Sequence, residues 1–185
     1  MRRRWIVTAL GKDRPGIVAG VTQVLYRLGC NLEDSAMTRL AGEFAIILIF
    51  SGPAQVAEAS LQKAFDPLSR RLRLAVHLKS LSVGEAAQPA KARARSCISV
   101  YGADRPGIVF QVSEALAAMK VNITDVHTHR SVPTKGRKQT TLYLMLLEVE
   151  RPPRLSMTTL EQKLQRIGKR LGVEVSVRSG EADVL

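Results

Sequence analysis

One short phrase occurs twice in this chain, and its residues offer the clearest chemistry in the sequence. Residues 11–18 read Gly-Lys-Asp-Arg-Pro-Gly-Ile-Val and residues 102–109 read Gly-Ala-Asp-Arg-Pro-Gly-Ile-Val, a shift of 91 residues (102 minus 11). Each copy follows a short apolar run and opens a segment with helical spacing of apolar residues, so each predicts a strand, a turn and a helix N-terminus. Because the free N–H groups of a helix N-terminus attract anions, the phrase predicts two anion-binding turns.

The residue types around both turns suit a small zwitterion, which carries a carboxylate close to an ammonium group. Gly16 and Gly107 lack a Cβ, so a ligand can approach the backbone there and accept hydrogen bonds from the helix amides. Asn31 and Asn122 begin the next predicted strands and offer side-chain carbonyl oxygens to an ammonium group. We therefore expect each asparagine to lie beside the turn of its own copy.

The same residues also have a purely structural interpretation. Asp13 and Asp104 precede the two helices, where a carboxylate can cap free N–H groups, and a proline fits a first helical turn. A duplication copies structural residues as well as functional ones, so the repeat leaves both interpretations open. The copies also differ, since Phe110 replaces Ala19. We expect Phe110 to fill space at the second turn and the first turn to be the more open.

Other kinds of chemistry find little support. His127 and His129 share one face of a predicted strand, but no third ligand is evident, so we expect no metal site. Cys30 and Cys97 do not occupy equivalent positions in the repeat and predict neither a disulfide nor a metal site. The sequence contains no nucleophile–base pattern, paired-carboxylate motif or glycine-rich phosphate loop. We expect no catalysis and no cofactor.

The elements that must position the turns follow one order in both copies: strand, helix, strand, strand, helix, strand. In the first copy we predict strands over 5–10, from 31, over 44–50 and over 72–81, with helices over 15–28 and 53–70. In the second copy the later elements are strands over 141–147 and 173–177 and a helix over 156–171. This order predicts an α+β fold of two ferredoxin-like βαββαβ domains in tandem, each an antiparallel sheet with helices on one face.

Length and composition agree with two small domains. The 185 residues divide into predicted domains over 1–82 and 96–180, a linker over 83–95 without apolar periodicity, and a tail over 181–185. The chain is 45% hydrophobic and 24% charged, as soluble proteins are. No apolar stretch approaches the roughly 20 residues that span a bilayer, so we expect no membrane segment and a cytoplasmic location.

The charge balance raises nucleic acid as an alternative partner. The net charge is +12, from 28 Lys and Arg against 16 Asp and Glu. The basic clusters lie at 2–4, 70–73, 91–95 and 135–138 and are spread along the chain, which favours solvated loops over one nucleic-acid surface. RNA-recognition motifs share this element order but stack bases on exposed aromatic side chains. Only 4% of the residues are aromatic, and Phe44 and Phe50 lie on a strand that we predict to face the core.

A βαββαβ unit whose first turn reads Gly-x-Asp-Arg-Pro-Gly-Ile-Val resembles the ACT domain, a sensing module of amino-acid metabolism. The resemblance covers nearly the whole chain, and the phrase is typical of a branch that includes regulators of the glycine cleavage system. It implies a non-catalytic regulator that senses a small amino acid, glycine first, and modulates a transcription regulator through protein–protein contact. Sheets of such domains often associate edge to edge, so the resemblance also implies a homodimer.

The resemblance further implies a ligand site that pairs the first turn with the start of the second strand, often across a domain interface. In the first copy these residues are Asp13, Arg14, Gly16, Ile17, Val18, Asn31 and Leu32. In the second copy they are Asp104, Arg105, Gly107, Ile108, Val109, Asn122 and Ile123.

Overall fold

The first copy of the repeat forms six elements in the predicted order. In the computed structural model these are β1 (Arg3–Lys12), α1 (Ile17–Arg27), β2 (Asn31–Leu40), β3 (Glu43–Gly52), α2 (Glu58–Leu72) and β4 (Ala75–Leu81). The structure describes residues 2–82, 94–131 and 141–180.

The second copy forms the same six elements. They are β5 (Ala94–Ala103), α3 (Ile108–Ala118), β6 (Asn122–Ser131), β7 (Leu142–Arg151), α4 (Met157–Leu171) and β8 (Val173–Ser179). The chain divides into two compact units, 1–89 and 90–185, one for each copy. Strand β5 begins two residues before the predicted domain start at 96, while segment 83–93 of the predicted linker and the predicted tail lie outside the described residues.

Each unit builds one antiparallel four-stranded sheet. The strand orders are β2-β3-β1-β4 and β6-β7-β5-β8, and every neighbouring pair is antiparallel. The first and third strands of each repeat are central and the second and fourth lie at the edges, which is the ferredoxin-like topology. The predicted α+β fold of two tandem ferredoxin-like domains is therefore confirmed.

The core of the first unit lies between one face of the sheet and its two helices. Alternate residues of β3 point into it, because side chains along a strand alternate between the two faces of a sheet. Phe44 and Phe50 are 3% and 0% exposed, which confirms that both face the core, and Leu61 and Phe65 of α2 pack against them. The second unit buries an equivalent cluster. Among the described residues, no helix is both long enough and apolar enough to cross a membrane.

Two boundaries in the first unit differ from the sequence-based prediction by three or more residues. Helix α2 begins at Glu58 instead of Pro53, because the Val56 N–H donates to the Pro53 carbonyl (3.0 Å) and closes a separate turn first. Strand β4 begins at Ala75 instead of Leu72, because Arg73 adopts a left-handed conformation (φ 53°) that ends the helix.

Candidate ligand-binding turns

The turn between β1 and α1 leaves a helix N-terminus open. Gly16 occupies the N-cap position with φ 91° and ψ −2°, a left-handed conformation that glycine adopts without a Cβ clash, and its carbonyl accepts from the Gly20 N–H (2.9 Å). Within the described residues no side chain caps the helix, and its first turn has no acidic residue. A Cβ built on Gly16 would meet nothing within 4 Å. The space beside this glycine is therefore accessible to a small molecule.

The equivalent turn between β5 and α3 repeats this geometry. Gly107 has φ 90° and ψ 0°, its carbonyl accepts from the Gln111 N–H (3.0 Å), and no described side chain caps the helix. Phe110 is 64% exposed, so the expectation that it fills the second turn is wrong. The nearest neighbour of a Cβ built on Gly107 is Nε2 of Gln111, at 3.6 Å. The first turn is therefore the more open of the two, for a different reason from the one predicted.

Asp13 and Asp104, which precede the two turns, do not cap the helices, so that prediction is corrected. Asp13 Oδ2 lies 3.2 Å from a guanidinium nitrogen of Arg39, and Asp104 Oδ2 lies 2.6 Å from one of Arg130. Each carboxylate thus pairs with an arginine of the second strand of its unit, and no side chain caps either helix among the described residues. The amides are consequently left for solvent or a ligand.

Arg39 and Arg130 are functional candidates that the sequence analysis missed. They are separated by the repeat shift of 91 residues (130 minus 39), so the second strand of each unit supplies an equivalent arginine. The repeat register was the signal that could have found them. Both place a cation at the edge of the turn of their unit.

The backbone of each aspartate ties its turn to the hairpin that follows the second strand. The Asp13 N–H donates to the Gly42 carbonyl (2.9 Å), and the Asp104 N–H donates to the Thr141 carbonyl (2.8 Å). Each turn is thus held from the sheet side, while its outer side faces solvent.

The arginines that follow the aspartates have different surroundings in the two units. Arg14 is exposed and makes no ion pair with any described residue. Arg105 donates from Nη1 to the Leu171 carbonyl (3.3 Å) and lies against Gly172, which satisfies the C-terminus of α4. Arg14 is therefore available to a ligand, whereas Arg105 has a structural partner.

The apolar residues of the phrase divide into core and surface positions. Ile17 and Ile108 are 1% and 2% exposed and anchor the helix starts in the two cores. Val18 and Val109 are 41% and 46% exposed and line the outer side of the turns. The isoleucines can therefore contribute only their amides to a ligand.

Asn31 does not lie beside the turn of its own unit, which corrects the expectation from the sequence. In the register of the first sheet, Asn31 lies opposite Ser51, at the end where β1 begins, whereas Lys12 and Leu40 both lie opposite Glu43, at the turn end. The ten residues of β2 separate the two ends by roughly 30 Å. The reason is that α1 runs back along the sheet before β2 begins.

The same placement holds in the second unit and for the residues that follow the asparagines. Asn122 lies opposite Glu150, away from Leu142 and Ser131 at the turn end. Leu32 and Ile123 directly follow the two asparagines in β2 and β6. The predicted site residues of each Asp-Arg-Pro-Gly-Ile-Val turn therefore lie together. Asn31, Leu32, Asn122 and Ile123 lie at the other end of their sheets.

The end of the first sheet that holds Asn31 carries an ion pair. The Arg4 Nε donates to Glu33 Oε2 at 2.6 Å. This hydrogen bond holds the pKa of Glu33 below its ordinary value, and a further one from the Ser51 hydroxyl acts in the same direction, against the effect of partial burial. This pair stabilises the start of β2 against β1.

The histidine and cysteine candidates form no metal site in the described part of the chain. No group of three or more His, Cys, Asp or Glu side chains there is placed to hold a metal ion. His127 Nε2 instead pairs with Asp125 Oδ2 at 2.9 Å. Cys30 and Cys97 are free thiols, and partial burial raises the pKa of Cys30.

The open faces of the sheets offer little to stack nucleic-acid bases. On the described strands, Tyr101 is the only Phe, Tyr or Trp side chain that points away from the helices, and it is 48% exposed. The basic cluster at 135–138 lies outside the described residues.

Comparison with known proteins places the fold in a family. The ACT domain matches residues 3–79 and again residues 96–178. The chain belongs to the ACT domain family. The two ACT matches coincide with the two repeats of the Asp-Arg-Pro-Gly turn.

Individual ACT relatives match over different lengths. The glycine cleavage system transcriptional repressor of Escherichia coli (strain K12) is 26% identical over 173 residues, which cover 93% of this chain and 87% of the repressor. A UPF0237 protein of Streptococcus mutans is 33% identical over 81 residues, or 44% of this chain and 92% of that protein. The crystal structure of an unknown protein from Galdieria sulphuraria has a TM-score of 0.80 and 26% identity, covering 97% of this chain and 99% of that one. The resemblance to tandem ACT regulators of the glycine cleavage system is thus confirmed at the level of sequence.

Proposed function

We propose that this ACT protein is a non-catalytic regulator that senses a small amino acid, with glycine as the first candidate. The observation that carries the proposal is the pair of uncapped helix N-termini at Gly16 and Gly107, each preceded by an aspartate that pairs with an arginine instead of the helix. Family membership and the similarity to the E. coli repressor along 93% of the chain support the regulatory class.

In this proposal the ligand carboxylate binds the first turn of α1. The amides of Ile17, Val18 and Ala19 lack intrahelical acceptors, and the helix dipole adds to their attraction for an anion. The exposed guanidinium of Arg14 can approach the same carboxylate. The ammonium group then faces the carboxylate of Asp13, one oxygen of which Arg39 already holds.

We expect weak binding from these contacts alone. Placing an anion at a helix N-terminus contributes typically 0.3–1 kcal/mol, and up to about 2 kcal/mol in partly buried geometries. A few such hydrogen bonds to a small ligand correspond to dissociation constants on the order of 1 mM, or about −4 kcal/mol. The first turn should bind more tightly than the second, because Gly107 has Gln111 beside it.

The asparagines need a separate role in the proposal. Asn31, Leu32, Asn122 and Ile123 lie at the opposite end of their sheets from the turns, so a ligand that they contact is a different molecule from the one at the turn of the same unit. We keep them as proposed ligand residues on the basis of the ACT resemblance.

We propose that ligand binding acts on a transcription regulator through protein–protein contact. This part rests on the name of the E. coli relative, a transcriptional repressor. The ligand must bind one arrangement of the protein or its complex better than another, because equal affinity for both would change nothing. Within the two described sheets, β2, β4, β6 and β8 are edge strands, and an edge offers backbone groups through which the chain can also form a homodimer.

The test is thermal unfolding of the full chain with glycine, alanine and serine. At about 100 times its dissociation constant a ligand adds roughly 2.7 kcal/mol to the free energy of unfolding. Glycinamide, which lacks the carboxylate, and acetate, which lacks the ammonium group, are the matched controls and should give smaller shifts. The absence of any shift with small amino acids would overturn the sensing proposal. Binding to DNA or RNA that weakens steeply with salt would favour the nucleic-acid alternative instead.

A further inference from the structure

The open face of the second sheet contains a cavity of about 450 Å³. This volume lies within the range of small-ligand sites. Its floor consists of two neighbouring rows of side chains, each of which crosses all four strands. The first row runs Asp125, Glu148, Cys97 and Arg178, which are paired in register from β6 to β8.

This row separates negative from positive charge. Asp125 and Glu148 are neighbours on β6 and β7, and Arg178 lies on β8 at the opposite side of the cavity. Two strand spacings, or about 10 Å, separate the backbones of Glu148 and Arg178. In the described part of the chain neither of these two side chains has an ion-pair partner.

Hydrogen bonds fix the side chains around these charges. Asp125 Oδ1 accepts from the Val126 N–H (2.8 Å), and Asp125 Oδ2 lies 2.9 Å from His127 Nε2. In the second row, the hydroxyl groups of Ser99 and Ser176 are joined at 2.8 Å. The first set of contacts fixes Asp125 and His127 on β6, and the second joins β5 to β8 on the opposite side of the cavity.

The centre of the cavity is apolar. Leu146 lies between His127 and Ser99 in the second row and is 47% exposed. Cys97, beside Glu148 in the first row, presents a thiol to the same space. Methylene groups that link two charged ends of a ligand can therefore lie on this floor.

The first unit shows that the fold does not require these polar residues. At the equivalent register positions its first row reads Asp34, Ile49, Ile6 and Lys79. The outer charges are retained there, but isoleucines replace Glu148 and Cys97. The second row of the first unit has Ala36 where the second unit has His127.

We propose that this cavity binds a small zwitterion whose amine and acid groups are separated by several methylene groups, an ω-amino acid in chemical class. The ammonium group meets the carboxylates of Asp125 and Glu148, the acid group meets the guanidinium of Arg178, and the methylene groups lie on Leu146. An α-amino acid is too short to reach both charged ends. The site is separate from the proposed turn site at Gly16 and does not depend on it.

The test is a ¹H–¹⁵N NMR titration of the full chain with 6-aminohexanoate. We expect shifts confined to β5, β6, β7 and β8, and a dissociation constant at least tenfold lower than that of hexylamine or hexanoate, which carry one charged group each. Glu148→Ile introduces the residue of the first unit, and Arg178→Gln removes the cation. Each should weaken binding at least tenfold while the other resonances stay in place.

Glu174→Gln is the matched control, because Glu174 lies on the same strand as Arg178 but does not line the cavity. It should leave the affinity within twofold of that of the unsubstituted chain. The proposal is overturned if 6-aminohexanoate causes no shifts on these strands. It is also overturned if Glu148→Ile and Arg178→Gln bind the probe as tightly as Glu174→Gln does. Ala19→Glu, which adds a carboxylate to the first turn of α1 and should abolish amino-acid binding there, should leave this titration unchanged. Failure of one site is therefore distinguishable from failure of the other.

Discussion

A glutamate at position 19 should stabilise the first unit against unfolding and abolish its binding of amino acids. Ala19 is exposed and is the third residue of α1, whose N-terminus has neither a side-chain cap nor an acidic residue in its first turn. A glutamate at this position can hydrogen-bond back to the N-terminal amides, as in a capping box. The same carboxylate then occupies the place that we assign to the ligand carboxylate.

The substitution should raise the free energy of unfolding and lower the affinity for the ligand, and the size of each effect can be worked out. An acidic side chain in the first turn adds about 0.3–1 kcal/mol to the free energy of unfolding at low ionic strength. In a domain of 60–100 residues, 1 kcal/mol raises Tm by roughly 4–8 °C, so we expect a rise of about 1–8 °C. Two carboxylates 4 Å apart repel by about 4 kcal/mol at an effective dielectric constant of 20. Even a third of that repulsion weakens ligand binding about tenfold.

The assay is thermal unfolding of the full chain at low salt, with and without a saturating amino acid. Ala19→Glu should melt at a higher temperature than the unsubstituted chain without ligand. It should show little further shift when the amino acid is added. Loss of ligand response in a more stable protein cannot be attributed to unfolding.

Gln23→Glu is the matched control, because it adds the same charge one turn later in the same helix. The second unit already has a glutamate at the equivalent position, Glu114 (23 plus 91), in α3. This variant should keep the full ligand response. The reasoning is refuted if Ala19→Glu keeps its ligand shift or if Gln23→Glu loses it to the same degree.

Three further predictions test the backbone, a buried hydroxyl and an ion pair. Gly16→Ala and Gly29→Ala both place a Cβ at positive φ (91° and 66°), so each should cost about 1–2 kcal/mol in denaturant unfolding, but only Gly16→Ala should weaken amino-acid binding. Tyr143→Phe removes a buried hydroxyl without a hydrogen-bond partner among the described residues, so it should leave stability unchanged or raise it by up to about 1 kcal/mol; a larger loss would reveal a partner. Glu33→Gln should destabilise the protein by less than about 1 kcal/mol at pH 7. Because Arg4 lowers the folded-state pKa of Glu33, that difference should shrink as pH falls from about 4.3 through the lowered value, and a difference that stays constant below pH 4.3 would contradict the ion pair.

The sequence was enough to predict the fold and the two turns. The apolar runs of β1 and β3 and the helical spacing after Pro15 and Pro106 report on near neighbours in the chain, and the shift of 91 residues repeats these local patterns. The sequence analysis predicted that Gly16 and Gly107 leave the backbone accessible, and their left-handed conformations are ones that glycine adopts without a Cβ clash. These features depend on local backbone preferences, and the residues that encode them lie beside one another.

Only the tertiary structure decided which side chains meet. Asp13 could cap α1 or bind elsewhere, and the pairing with Arg39, 26 residues away, arises from the order of the strands. Asn31 follows α1 closely in sequence but lies at the far end of the sheet, because the helix reverses the direction of the chain. The cavity on the second sheet depends on the register of four strands and joins Ser99 to Ser176, 77 residues apart. Such contacts are set by how distant segments pack and pair, which no local pattern of residues records.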